Sequence, residues 1–201
     1  MLSYNIYALG IMAAVVSFLG FVVENIWLAM TKGYINNRNM NTPFLLGYGL
    51  FVIVLYFAVG TPEHMVLLRK FRIKLSKAAR YCIYFIIAMI AVSISEIILG
   101  MAVEKMCGFY YWNYALIPLH ITRYTSVPTS AAFAVLITFL MGICFEPIMS
   151  WILKMDPGLL RVVSVILMVV MMWDFILSFH YMITKKVFHV KWTVWVKKLV
   201  R

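Results

Sequence analysis

The sequence predicts an all-α fold: a polytopic transmembrane helical bundle of about five spans, with an interfacial or re-entrant aromatic loop between the third and fourth. Composition, hydropathy and run length carry that reading. Hydrophobic residues make up 65% of the 201 residues and charged residues 12%, against about 45–50% and about 25% in soluble domains. Mean hydropathy is +0.95. Several apolar runs exceed the roughly 18 residues that mark a membrane-crossing helix. The spans read as one bundle over residues 1–184, followed by a basic, aromatic juxtamembrane tail, 185–201. No loop is long enough for a soluble domain.

The net charge of +11 is concentrated in two clusters. One is Arg69, Lys70, Arg72, Lys74, Lys77 and Arg80; the other is Lys185, Lys186, Lys191, Lys197, Lys198 and Arg201. Both flank spans, as topology signals and contacts to anionic headgroups do. The bilayer is therefore the expected partner, and nucleic acid is not. Three cysteines, Cys82, Cys107 and Cys144, two of them inside apolar runs, do not make a disulfide framework. The first apolar run has no basic segment before it and contains Glu24, so it reads as a retained span rather than a signal peptide. The expected location is a membrane, multi-pass, and the cell membrane in a bacterium.

The first span runs from about Ile6 to Met30. Its small residues Gly10, Ala13, Ala14, Ser17 and Gly20 form a packing face. Gly20 and Glu24 are four apart and share a helix face. A polar loop, Thr31 to Pro43, follows, rich in the turn-formers Asn36, Asn37, Asn39 and Asn41. The second span, about Phe44 to Thr61, carries Gly47-Tyr48-Gly49, where close backbone approach or a kink is expected. Apolar and basic residues alternate from Val66 to Ser76 at loosely helical spacing, which predicts an amphipathic surface helix.

The third span is about Tyr81 to Val103. Glu96, Gly100 and Glu104 fall at i, i+4 and i+8, along one stripe. The segment Phe109 to Tyr124 is too short and too polar, at His120 and Arg123, to span. At membrane depth such backbone must be buried in protein or line a wet cavity. The fourth span, about Pro128 to Leu153, contains Glu146-Pro147, and the proline exposes a carbonyl near Gly142 or Ile143. The fifth, about Leu159 to Ile183, contains Asp174 with Ser178 one turn on. The segment from Val187 onward reads as lying on the membrane surface. Three spans separate the basic clusters, which puts them on opposite faces, so either one cluster lies outside or the Phe109–Tyr124 segment crosses as well.

In order, Gly20 and Glu24 in GFVVENIW, Asn37-Arg38, Pro43, Gly47-Tyr48-Gly49, Glu96, Glu104-Lys105 and Trp112-Asn113-Tyr114 resemble a known pattern. It is that of the bacterial family labelled putative ABC-transporter type IV permease, grouped with the eukaryotic transmembrane protein 229 proteins. The resemblance covers roughly Gly20 to Pro147. Asn39 stands where the family has Gly, Asn113 where it has Asp, and His120 near its Asn, while the Pro43–Gly49 stretch is shorter. The resemblance implies a transporter's membrane component. The chain has no G-x-x-x-x-G-K-[ST] loop, so ATP hydrolysis would fall to a separate subunit.

Ionisable residues inside spans are functional candidates by default. The candidate polar site is Glu24, Asn37, Arg38, Glu96, Glu104, Trp112, Asn113, Tyr114, His120 and Arg123. As a transport path, Glu96 and Glu104 would line it, Arg38 and Arg123 would attract an anionic group, Trp112 and Tyr114 would stack on or gate the cargo, and Glu24 would carry a proton or pair with Arg38. Burial favours neutral carboxyls, which suits proton relay. Two alternatives stand beside this. One is an intramembrane enzyme acting on a lipid-like substrate, with two acids as general acid and base. The other is an accessory or structural protein whose polar residues form a network tying spans together. No hydrolase motif and no metal-ligand pair on adjacent turns is present, so no catalytic residue, metal or cofactor is assigned. The partner classes are the bilayer, a separate ATPase subunit and a second copy of the chain.

Overall fold

The computed structural model describes residues 4–67, 71–72 and 75–196. Among them run the helices α1 Ile6–Lys32, α2 Leu46–Val59, α3 Lys77–Cys107, α4 Val127–Ile152 and α5 Pro157–Lys185. Short strands are β1 Tyr34–Asn36, β2 Val66–Leu67, β3 Phe71–Arg72, β4 His120–Thr122, β5 Thr125–Ser126 and β6 Thr193–Trp195. Helices α1, α3, α4 and α5 are long and apolar enough to cross a membrane. Helix α2 has 14 residues, about 21 Å at 1.5 Å per residue, short of a hydrocarbon core of about 30 Å. The five expected spans are thus four long helices and one short apolar helix.

Helix ends follow local chemistry. Asn5 caps α1 by accepting from the Tyr7 N–H, and Ser76 caps α3 by accepting from Ala79. Both helices stop at a left-handed glycine, Gly33 (φ 75°) and Gly108 (φ 79°), whose N–H returns to the last turn. Asp156 caps α5, with Pro157 at its first turn.

The chain divides into two compact units. One holds the described residues of Ser3–Ile53 and Met149–Arg201, the other those of Val54–Ile148. In the first, α1 packs on α5. A Cβ on Gly10 would strike the Ser164 hydroxyl, and one on Gly49 would strike the Ala13 carbonyl and Ser17. The small-residue stripe of α1 is therefore a packing face. Of the glycine pair in α2, only Gly49 is a close approach, since nothing lies within 4 Å of a Cβ on Gly47. Ala14, Leu46 and Met171 form a core beneath Phe44 and Phe175.

After α1, Arg38 (φ 47°) and Asn39 (φ 63°) are both left-handed. Asn tolerates that region best after Gly, which accounts for Asn39 at the position where the resembled pattern has Gly. The tail does not simply lie outside the bundle. Its β6 pairs antiparallel with β1, Tyr34 opposite Trp195, with the two rings edge to face at 5.5 Å. Lys197, Lys198 and Arg201 lie outside the described residues.

In the second unit α3 packs on α4. The surface helix expected over Val66–Ser76 is corrected: β2 and β3 form an antiparallel pair, Val66 opposite Arg72. The chain turns into it at Gly60 (φ 81°), which bridges to Met65. Alternating apolar and basic residues fit a paired ribbon as well as a loose helix. Arg69, Lys70 and Lys74 lie outside the described residues. Helix α4 contains a π-helical turn, Leu140–Cys144, just before Pro147. Proline has no N–H to give, and the Tyr81 hydroxyl donates to the Gly142 carbonyl instead, at 3.0 Å. That is the carbonyl region the proline points to in the sequence.

Candidate functional site: two tyrosine-clamped carboxylates

In the unit built on α1 and α5, Gly20 and Glu24 lie one turn apart on α1. The absence of a side chain at Gly20 admits the ring of Tyr48, whose Cγ would be 2.5 Å from a Cβ there. Seated on Gly20, Tyr48 donates its hydroxyl to Glu24 Oε1 at 2.5 Å. Arg38 Nη2 donates to the other oxygen, Oε2, at 2.7 Å. The left-handed turn at Arg38 and Asn39 is held by Asn36, which accepts from the Arg38 N–H at 2.9 Å. Asn36 in turn donates its N–H to Asn25 Oδ1 at 2.8 Å.

Asn37 faces the tail. Its amide donates to the Met40 and His189 carbonyls and its oxygen accepts from the Lys191 N–H. His189 Nε2 also meets Asn41 Oδ1 at 3.1 Å. Burial, and then the Lys191 charge, hold the His189 imidazole below its ordinary 6.5, with Asp174 opposing. A base so shifted is favoured neutral in the fold. Its stabilising contribution is complete above 6.5 and is lost as pH falls through the lowered value. The tail is accordingly expected to loosen from β1 on acidification below 6.5. Trp195 fluorescence against pH checks this, and a transition unchanged in His189→Gln would assign it elsewhere.

In the unit built on α3 and α4, the same arrangement recurs. Gly100 and Glu104 lie one turn apart on α3, and a Cβ on Gly100 would sit 2.5 Å from Tyr124 Cδ1. The Tyr124 hydroxyl donates to Glu104 Oε2, and that bond holds the phenol above its ordinary value. The ion pairs Glu24–Arg38, His64–Glu146, Glu63–Lys77 and Glu63–Arg80 do not include Glu104. Glu104, Lys105, Tyr124, Met101 and Ala102 line an open pocket of about 490 Å³.

The aromatic loop holds Tyr124 in place. Trp112 Nε1 donates to the Tyr124 carbonyl at 2.7 Å, and the Tyr114 N–H donates to the Arg123 carbonyl at 2.8 Å. Asn113 accepts from the Ala115 N–H at 2.9 Å, a turn bond that an Asp oxygen would accept equally. His120 is exposed, with Nδ1 3.2 Å from the Ile117 carbonyl. Arg123 lies over the Tyr110 ring, 4.8 Å from its centroid, and bonds its hydroxyl. Glu96 accepts from Thr125 Oγ1 at 2.7 Å, and Thr125 and Ser93 both meet Ser130.

The predicted residues therefore fall into two sets, Glu24, Asn37 and Arg38 in one unit and Glu96, Glu104, Trp112, Asn113, Tyr114, His120 and Arg123 in the other. Arg38 binds Glu24, and Arg123 binds Tyr110. The tyrosines that clamp the acids were not among the residues singled out. The recurring Gly-x-x-x-Glu (Gly20/Glu24, Gly100/Glu104, Gly142/Glu146) is the signal that points toward them. At the third, Tyr81 lies over Gly142, its Cε1 2.6 Å from a Cβ there. Glu146 itself accepts from Thr61 at 2.8 Å and pairs with His64 at 2.7 Å. Hydrogen bonds from Lys77 and then Tyr81 hold the nearby Glu63 carboxyl below its usual range.

Asp174, which the sequence places one turn before Ser178, is a multiply bonded anchor. It accepts from the N–H and side chain of Asn41, from the N–H and hydroxyl of Thr42, and from Ser178.

A family model described as "Putative ABC-transporter type IV" matches residues 11–179. The chain belongs to that family. The match takes in Glu24, Arg38, Glu104 and Tyr124, and reaches past the resemblance to Asp174. The grouping with transmembrane protein 229 has no counterpart in it. Neither the curated proteins nor the solved structures yield a match. With four helices long and apolar enough to cross a membrane, membership in this family makes the chain a multi-pass membrane protein.

Proposed function

We propose that this family member is the membrane component of a transporter driven by a separate ATPase, with Glu24 and Glu104 as its working carboxylates. One observation carries the reading: a Gly-x-x-x-Glu turn clamped by a tyrosine occurs in each compact unit, on helices of membrane-spanning length. Acids on such helices are costly and are retained where ions, protons or substrates pass. Protonating Glu24 discharges its pair with Arg38 and frees the guanidinium, which couples proton uptake to the 34–42 loop. Protonating Glu104 weakens its hold on Tyr124 and on the loop that Trp112 anchors to that residue. The ATPase partner is expected because no phosphate loop lies in these 201 residues.

The test is purification of the tagged chain from its native membranes in mild detergent. Vanadate-sensitive ATP hydrolysis should co-purify, carried by a protein with a phosphate-binding loop. In Glu24→Gln and Glu104→Gln the complex should assemble while hydrolysis falls by about tenfold or more, about 1.4 kcal/mol in the barrier. A chain that purifies without any nucleotide-binding subunit, or Gln variants of full activity, would overturn the reading.

A further inference from the structure

The two clamps share a glycine, a carboxylate one turn on and a tyrosine ring on the glycine with its hydroxyl on the carboxylate. They differ in one respect. At Glu24 the oxygen not taken by tyrosine receives the Arg38 guanidinium. At Glu104 no cation of the protein is paired among the described residues, and the carboxylate faces an open pocket instead. We infer that the Glu104 pocket binds the headgroup of an amine-bearing phospholipid, whose ammonium stands at Glu104 where Arg38 stands at Glu24.

Three features select that ligand. The carboxylate with its phenol donor is an acceptor for an ammonium, in the charge-assisted way Arg38 demonstrates in the other unit. Lys105, in the same pocket, supplies a positive charge for the phosphodiester next to that ammonium. A simple cation would be repelled by Lys105, and a simple anion by Glu104, so a zwitterion fits where neither does. Met101 and Ala102 make the remaining wall. Met101 is exposed, as are Ile94 and Ile98 further along α3, which offers acyl chains an apolar track on a membrane-length helix. The inference names the ligand class of one carboxylate of the proposed function and rests on that reading.

The test is lipid binding to the purified full chain in detergent without ATP, followed by tryptophan fluorescence, since Trp112 is bonded to the Tyr124 carbonyl. Short-chain phosphatidylethanolamine should bind about tenfold or more tightly than phosphatidylglycerol of the same chains, and soluble phosphoethanolamine should bind more weakly than the lipid. Glu104→Gln should abolish the preference for the amine headgroup. Lys105→Ala, on an exposed side chain, should weaken phosphatidylethanolamine severalfold and leave a long-chain alkylamine unweakened, and it carries the test if Glu104→Gln does not fold. Equal affinity for the two lipids, equal affinity for the soluble headgroup, or unchanged lipid binding in Lys105→Ala would overturn the assignment. Each is read without the ATPase, so such a failure leaves the transporter reading to its own experiment.

Discussion

Replacing Asp174 with alanine is expected to destabilise the unit built on α1 and α5 by roughly 3 kcal/mol, the scale set by leaving several donors to a charged acceptor unsatisfied. Asp174 is 4% exposed. It is the common acceptor for the Asn41 and Thr42 N–H groups, their side chains and Ser178. Removing it leaves the Asn41 and Thr42 N–H groups and the Ser178 hydroxyl without their shared acceptor beside a helix of membrane-spanning length. The two N–H groups sit in the loop that carries Arg38 and Asn39, so the loop loses its tether to α5. Asp174→Asn keeps one acceptor oxygen but turns an NH₂ toward groups that already donate, and should fall between wild type and alanine. For a chain of this size the alanine loss corresponds to a melting temperature lower by about 6–12 °C. A shift below about 2 °C, measured by thermal unfolding in detergent, would mean the bonds around Asp174 are dispensable.

Gly100→Val is expected to cost about 1–3 kcal/mol through overpacking and to remove the Tyr124–Glu104 bond at the same time. The added Cβ would lie 2.5 Å from Tyr124 Cδ1 and 2.8 Å from Cγ. Because Trp112 holds the Tyr124 carbonyl, the ring must leave while its backbone stays, and the hydroxyl then no longer reaches Glu104. Gly20→Val should do the same to Tyr48 and Glu24, where the Cβ would meet Tyr48 Cγ at 2.5 Å. Gly47→Ala is the control: nothing lies within 4 Å of its Cβ, and alanine favours helix by up to about 1 kcal/mol. The discriminating result is a pair of valine variants that unfold earlier beside an alanine variant that does not. Three equal variants would remove the argument from close approach.

Much of this was legible beforehand. The span limits match the helices to within a few residues, because apolar run length is a local signal. The carbonyl near Gly142 was legible from Pro147 alone. The alternation over Val66–Ser76 was not decisive, since a short ribbon and a loose helix share it. The roles of Tyr48 and Tyr124 are not legible in the sequence, because each ring meets its glutamate only through a glycine on another segment of the chain.

Run length and composition, summed over neighbours in the chain, were enough to determine a membrane-spanning helical protein with acids on its helices. The geometry of each pairing was decided only by the fold. Arg38 reaches Glu24 through two left-handed residues, Asp174 collects donors from residues 41 and 42, and β6 returns to β1. Hydrophobic burial is nondirectional and follows local pattern, whereas a hydrogen bond depends on where an irregular backbone delivers a donor. For Glu104 the same clamp forms without a guanidinium, and that difference between two otherwise alike glutamates exists only in three dimensions.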